Sequence, residues 1–169
     1  MMGDFTTLQF RMNLKKTIPA DHLSIIRFML NDELIQDIEE ILNRNQHHPL
    51  FDDPRWRSML TSFSDPADPT PSYESSYLVE SEFRFTLHVF SVFKNYGEIE
   101  DFFDWIHPYI DETWLTYIGT AKNDISDHPS LIYFHPHGVD FVKVTCDEIE
   151  RKGFVELKWG INPDELRSI

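Results

Sequence analysis

Two segments of the chain alternate apolar and polar residues with a period of two. The first runs from Leu8 to Lys15 and the second from Phe83 to Phe93. Successive side chains of a β-strand point to opposite sides, so this period predicts two strands that each direct one face to a core. In the second segment Phe90 and Val92 lie on the other face, which predicts burial on both sides near its end. The core face of that strand would hold Phe83, Phe85, Leu87, Val89 and Phe93.

Three further segments have the spacing of amphipathic helices. The first begins after Pro19, and the second runs from Leu34 to Leu42. A break near Asn31 and one continuous helix both fit this pattern, because asparagine followed by aspartate favours a helix cap. The third helix spans Glu98 to His107 and ends there because Pro108 disfavours the helical conformation of the residue before it.

The remainder of the chain predicts short strands and one loop. Strands are expected over Trp114–Thr120, Leu131–Phe134 and Val139–Val144, with Pro136–Gly138 as the turn of a hairpin. Residues 64–76 are rich in proline and have almost nothing to bury, which is typical of a mobile loop.

The order of these elements predicts a single α+β domain over residues 1–169. A strand, helices, a second strand, a helix and then several strands favour a mainly antiparallel sheet with the helices packed on one face. The order is similar to the ferredoxin-like β-α-β-β-α-β plan with extra strands. An exposed strand edge in such a sheet could support a homodimer.

The charge of the chain narrows the classes of partner. Its net charge is −14, from 15 Lys and Arg residues against 29 Asp and Glu residues. With no basic stripe to displace counterions from phosphates, we expect no direct binding of nucleic acid. An acidic surface attracts basic proteins and also favours solubility, and both explanations fit the composition.

Three sequence features bear on location. No apolar run approaches the roughly 18 residues of a membrane-spanning helix, and the first residues lack the pattern of a secretory signal. The single cysteine, Cys146, excludes an intrachain disulfide. These features predict a cytoplasmic protein with no membrane association.

One region carries half of the net charge. Residues 95–127 contain eight acids and one base, Lys122, and so contribute −7 of the −14. Aromatic residues are interleaved with the acids, and such a surface could dock on a basic partner with its aromatics as anchors. The competing interpretation is a solvated helix whose aromatics complete the core. The predicted partner-binding residues are Glu98, Asp101, Asp104, Trp105, Asp111, Glu112 and Trp114.

These features favour a non-enzymatic interaction protein, such as an inhibitor, an immunity-type protein or an adaptor, which needs no cofactor. No glycine-rich phosphate loop is present in the sequence. Cys146 has acidic neighbours that disfavour a thiolate, so the thiol is expected to be inert.

The alternative function is a metal-dependent hydrolase with a zinc site. His135 and His137 are two residues apart, so on a strand both would face the same side, and a hairpin could bring Asp140 close to them. Neither a CxxC nor an HExxH spacing accompanies them. A polar turn with exposed histidines therefore fits the same residues.

Overall fold

One antiparallel sheet organises the chain in the computed structural model, which describes residues 5–31, 37–45, 47–53, 55–61, 76–94, 97–144 and 149–151. Its seven strands are β1 (Phe5–Lys15), β2 (Tyr77–Glu80), β3 (Arg84–Lys94), β4 (Thr116–Asn123), β5 (Ser130–His135), β6 (Gly138–Val144) and β7 (Ile149–Arg151). They lie in the order β2-β3-β1-β4-β5-β6-β7, and every neighbouring pair is antiparallel. The predicted α+β class with a mainly antiparallel sheet is confirmed.

Three α-helices accompany the sheet: α1 (Ala20–Met29), α2 (Ile38–Asn45) and α3 (Glu98–Ile106). Short 3-10 turns cover Pro49–Asp52, Trp56–Ser58 and His107–Tyr109. α1 ends at Met29, and Asn31 has a φ of 59°, a left-handed conformation that stops the helix. Of the two alternatives for this region, the break near Asn31 is therefore the correct one.

The first four strands follow the ferredoxin-like β-α-β-β-α-β plan. In that plan each strand–helix–strand unit is split, so that its two parallel strands have an antiparallel strand between them. Here β3 lies between β1 and β2, and β1 lies between β3 and β4, with every neighbouring pair antiparallel. Strands β5 to β7 extend the sheet beyond β4 as a meander, so the resemblance covers the strand order as well as the order of elements. Most of the predicted loop at 64–76, together with Cys146, lies outside the described residues.

The sheet has a covered face and an open face. On β1, Leu8, Phe10 and Met12 are buried on the covered face, whereas Gln9 and Arg11 between them are exposed on the open face. The helices pack on the covered face and complete one hydrophobic core. The ring of Phe10 lies 6.1 Å from that of Phe102 and 5.2 Å from that of Phe103, both on α3. Buried side chains of α1 and α2 add Ile25, Ile26, Met29 and Ile41.

The start of β3 differs from the sequence prediction. Phe83 is 77% exposed, so its placement on the core face was wrong. It sits at the tip of the β2–β3 hairpin, where Ser81 bonds back to Arg84 through both its backbone N–H and its hydroxyl. From Phe85 onward the predicted alternation holds, and Phe90 and Val92 are partly buried on the open face. The core position between Val89 and Phe93 is taken by Ser91, whose hydroxyl donates to the Met59 carbonyl at 2.6 Å.

A glycine brings β4 against β1. A Cβ at Gly119 would lie 2.2 Å from the carbonyl oxygen of Gln9 and 2.4 Å from the Cβ of Phe10, so the two backbones approach too closely for any other residue. The pairing of β1 with β4 ends at this point, and the register of β4 against β5 shifts between Tyr117 and Gly119. The two strands therefore separate beyond Gly119 and leave a groove on the open face.

Candidate functional site

The outward side of α3 presents the predicted acidic region to solvent. Ile99, Phe102, Phe103 and Ile106 face the core, as the helical spacing predicts. Glu100 and Asp104 are exposed and Asp101 is half-buried. Between residues 97 and 121 there are six carboxylates and no Lys or Arg. In the part of the chain that the structure describes, none of Glu100, Asp101 and Asp111 forms a salt bridge.

Trp105, one of the predicted anchors, belongs to the core. It is only 6% exposed and its ring stacks on that of His22, with centroids 4.7 Å apart and planes 4° from parallel. Phe51 meets the same indole edge-on at 5.7 Å. These contacts hold α3 against α1 and the 3-10 turn at Pro49–Asp52. For this residue the geometry agrees with the interpretation in which aromatics of the acidic region complete the core.

Glu98 is buried as well. It is 1% exposed and lies in the first turn of α3, after Gly97 with a φ of 121°. A carboxylate is favoured at this end of a helix because the unpaired backbone N–H groups give it a partial positive charge. Because it is buried, Glu98 is not part of the outer surface.

Glu112 has a structural contact with β1. Its Oε1 accepts a hydrogen bond from the backbone N–H of Asn13 at 2.7 Å, while the backbone N–H of Asp111 donates to the Asn13 carbonyl at 2.8 Å. These bonds extend the pairing of β1 beyond the point where β4 departs. The side chain of Asp111 is exposed, and Trp114, three residues later, is 49% exposed.

The predicted site thus divides into interior and surface residues. Glu98 and Trp105 are buried, and Glu112 accepts a hydrogen bond from the backbone of β1. The acidic surface, as the term is used below, consists of Glu100, Asp101, Asp104, Asp111 and Trp114. Glu100 is the member that the sequence did not single out; its position two residues after the start of α3 and off the apolar stripe is the signal for it.

Two histidines lie at the border of the acidic surface. His48 Nε2 is 3.6 Å from Asp104 Oδ2, and His48 Nδ1 accepts a hydrogen bond from the Leu50 N–H at 3.2 Å. His22 packs between Trp105 and Tyr109, and burial lowers its pKa below the usual value for histidine, with the nearby His48 acting in the same direction and Asp21 opposing it. His22 is therefore neutral at pH 7 and packs as an aromatic ring.

The predicted metal ligands form a tight turn. His135 is buried, with its Nε2 3.6 Å from Asp140 Oδ1 and its Nδ1 accepting the backbone N–H of His137 at 3.2 Å. The rings of His135 and His137 are 6.4 Å apart. Because one imidazole nitrogen of His135 is used by the turn itself, the arrangement matches a polar hairpin turn, although of the two histidines only His137 is exposed and His135 is buried. Among the described residues, no group of three or more His, Cys, Asp or Glu side chains is placed to hold a metal ion.

Comparison with known proteins gives no guide to the function. No family model, curated protein or solved structure matches the chain. None of the helices in the described ranges combines the length and the apolar character that crossing a membrane requires.

Proposed function

We propose that this chain is a non-enzymatic interaction protein whose acidic surface binds a basic partner protein. The observation that carries the proposal is the run of carboxylates from residue 97 to 121 without a Lys or Arg, whose outward members Glu100, Asp101 and Asp111 form no salt bridge in the described part of the chain. Neighbouring carboxylates repel one another, and a basic partner relieves that repulsion while being steered to the surface.

Trp114 supplies the apolar contact that charge alone lacks. Its indole is about half exposed, and the adjacent Leu115 is exposed too. A large aromatic side chain next to charged residues is the composition of interface hot spots, because it buries much area at a small cost in side-chain entropy. In this proposal the carboxylates of α3 increase the rate of association with the partner, and Trp114 increases the lifetime of the complex.

The surface is held rigidly, which lowers the entropic cost of binding. α3 is anchored by Phe102 and Phe103, both buried, and by the stacking of Trp105 on His22. The outward carboxylates are thereby fixed relative to one another before a partner arrives.

Charge neutralisation with a matched control tests the proposal. The surface variant is Glu100→Gln, Asp101→Asn and Asp104→Asn, and the control is Glu39→Gln, Asp52→Asn and Glu82→Gln, three exposed acids elsewhere that change the net charge equally. Both variants and the parent chain are used as bait in an extract of the native cells, and association with each captured protein is then measured by surface plasmon resonance. Circular dichroism checks that both variants fold.

We expect a basic protein that the parent and the control capture and the surface variant does not. Its association rate constant should fall about tenfold or more in the surface variant at low salt, and the difference should shrink as salt rises. Equal association rates for the surface variant and the control would contradict the proposal.

A further inference from the structure

The open face of the sheet has the opposite charge to the rest of the molecule. Of the side chains that β1 to β5, and β6 up to Lys143, direct to this face, one is a carboxylate, Asp140, and its Oδ1 approaches His135. The register assigns five cationic residues to the same face: Arg11, Lys15, Arg84, Lys94 and Lys122. The Nζ of Lys15 donates to the carbonyl of Pro108 at 2.9 Å, in the turn that follows α3. A chain with a net charge of −14 thus gathers a third of its Lys and Arg residues on one sheet face.

Aromatic side chains accompany these cations. Tyr77 is 49% exposed and stacks on His88, with ring centroids 4.6 Å apart and planes 16° from parallel. Tyr117 is 52% exposed and meets Tyr133 edge-on at 5.6 Å. Phe90 is also partly exposed between these pairs. Covering exposed rings with a ligand is favourable, because it removes apolar surface from water.

A groove joins the two aromatic pairs. It has a volume of about 710 Å³ and opens where β4 separates from β1 beyond Gly119. Gln9, Arg11 and Phe90 form its floor, and Tyr77 and Tyr117 lie on its opposite sides in strand order. The volume falls in the range that holds a small organic ligand or a few nucleotide units.

We propose that the open face binds single-stranded nucleic acid, with bases stacked on the rings of Tyr77 and Tyr117 and a phosphate paired with Arg11. The ligand must offer flat π-systems to the exposed rings and negative charge to the cations, and a single-stranded nucleic acid offers both along one chain. An acidic peptide supplies the charge but no rings to stack. The hydroxyl of Thr120 and the amide of Gln9, which are partners across β4 and β1, add polar contacts for base edges.

The net charge is compatible with such a site because of where the carboxylates lie. The outward residues of α3 are on the far side of the sheet and its core from the open face. Charges farther apart than about 8 Å are largely screened at physiological ionic strength. The sequence-level expectation of no nucleic acid binding rested on the absence of a basic stripe along the chain, and the cations of the open face come together only through strand pairing. This inference does not depend on the proposed function, because it uses the other side of the molecule.

Fluorescence anisotropy with labelled oligo-U and oligo-dT of about ten nucleotides tests the site. Tyr77→Ser, Tyr117→Ser and Arg11→Gln should each weaken binding of the preferred oligonucleotide about tenfold. A plot of the logarithm of the affinity against the logarithm of the salt concentration should also become less steep in Arg11→Gln. The slope should change by about 0.7, which is the contribution of one phosphate contact on a single strand. The controls are Phe83→Ser, an exposed ring outside the groove, and Arg57→Gln, a cation on the covered side.

Chemical-shift mapping on the parent chain adds a readout that does not depend on the variants folding. Oligonucleotide addition should shift the amide signals of Gln9, Arg11 and Thr120 and leave those of α3 in place. No binding by either oligonucleotide at low salt, equal weakening in the controls, or competition by polyglutamate as effective as that by unlabelled oligonucleotide would each overturn the proposal.

Discussion

Side chains of β1 and β3 alternate between a face that packs against the helices and a face that is open to solvent. Leu8, Phe10 and Met12 face helices and are almost fully buried, while Gln9 and Arg11, one position along the same strand, face solvent. The covered face is purely apolar apart from small polar residues such as Ser91, whose hydroxyl has a backbone partner. The open face combines cations with rings.

Burial, and not the composition of the chain, decides which side chains each face of the sheet can carry. A charge on the covered face would have to be desolvated, at a cost of several kcal/mol. Apart from the buried Glu98, the carboxylates of α3 lie on its outer side, and the open face holds Arg and Lys side chains. A net charge averaged over the chain hides this separation.

The largest effect should come from a matched pair of phenylalanines on the two faces. Phe10→Ala removes a ring packed against Phe102 and Phe103 and should lower the free energy of unfolding by about 4 kcal/mol. Phe90→Ala, on the open face, should cost about 1 kcal/mol because its ring is partly in water already. Urea denaturation measures both. Similar losses would mean that the two faces are equally buried.

The close approach of β4 to β1 gives the next largest effect. Gly119→Ala forces a Cβ into the Gln9 carbonyl and should destabilise the fold by about 3 kcal/mol. Thr120→Ala, the next residue on β4, is the control and should change stability by less than about 1 kcal/mol. A Gly119→Ala variant as stable as the control would show that the strands can separate without cost, and the groove would then lack its fixed wall.

The adjacent acids Asp111 and Glu112 should differ in their effect on stability, because one is a surface charge and the other bonds to the backbone of β1. Glu112→Ala removes the acceptor of the Asn13 N–H and should cost about 1.5 kcal/mol, whereas Asp111→Ala should cost less than about 0.5 kcal/mol because its side chain is exposed. Thermal unfolding at neutral pH compares them. A larger loss for Asp111→Ala would reverse the assignment of the acidic surface.

The smallest effect concerns pH. Burial holds the pKa of His22 below its ordinary value of 6.5. On acidification His22 therefore binds a proton at a higher pH in the unfolded chain than in the folded protein. The free energy of unfolding decreases as the pH falls from about 6.5 to the lowered pKa of the folded protein, and below that pKa it decreases no further on account of His22. His22→Phe keeps the stacking on Trp105, and the Nδ1 that it removes has no hydrogen-bond partner among the described residues.

The free energies of unfolding of the parent chain and the His22→Phe variant are compared at pH 7 and at about pH 5. The difference between them reports on His22, because the other histidines are common to both. The variant should lose less stability than the parent on acidification. An identical loss in both would show that His22 does not couple protonation to folding.

Local periodicity was enough to predict the elements that bury one side. α3 was predicted to within one residue of its observed bounds, and β1 was predicted with its observed end but from Leu8 instead of Phe5, because half of their residues contact one core and the pattern repeats. β2 was missed, since its four residues are mostly exposed and show no alternation. Phe83 was misplaced because apolar character does not reveal that Ser81 and Arg84 close a turn around it.

The sites were harder to predict because they depend on pairing between distant residues. The acidic run is contiguous in sequence and was visible, but the burial of Glu98 and Trp105 follows from contacts with α1 and the turn at Pro49–Asp52. The cations of the open face come from three strands, and only their register brings them together. No count along the chain could have found that surface.

Solvent relaxation with charged nitroxides measures the separation of charge directly. Amide relaxation of the parent chain is recorded with a cationic, an anionic and a neutral nitroxide of similar size, and the charged profiles are divided by the neutral one. We expect enrichment of the cationic probe at Asp101 and Asp104, and of the anionic probe at Arg11 and Lys122. Charged profiles that parallel each other along the chain, or a cationic probe concentrated on the open face, would contradict this separation of charge.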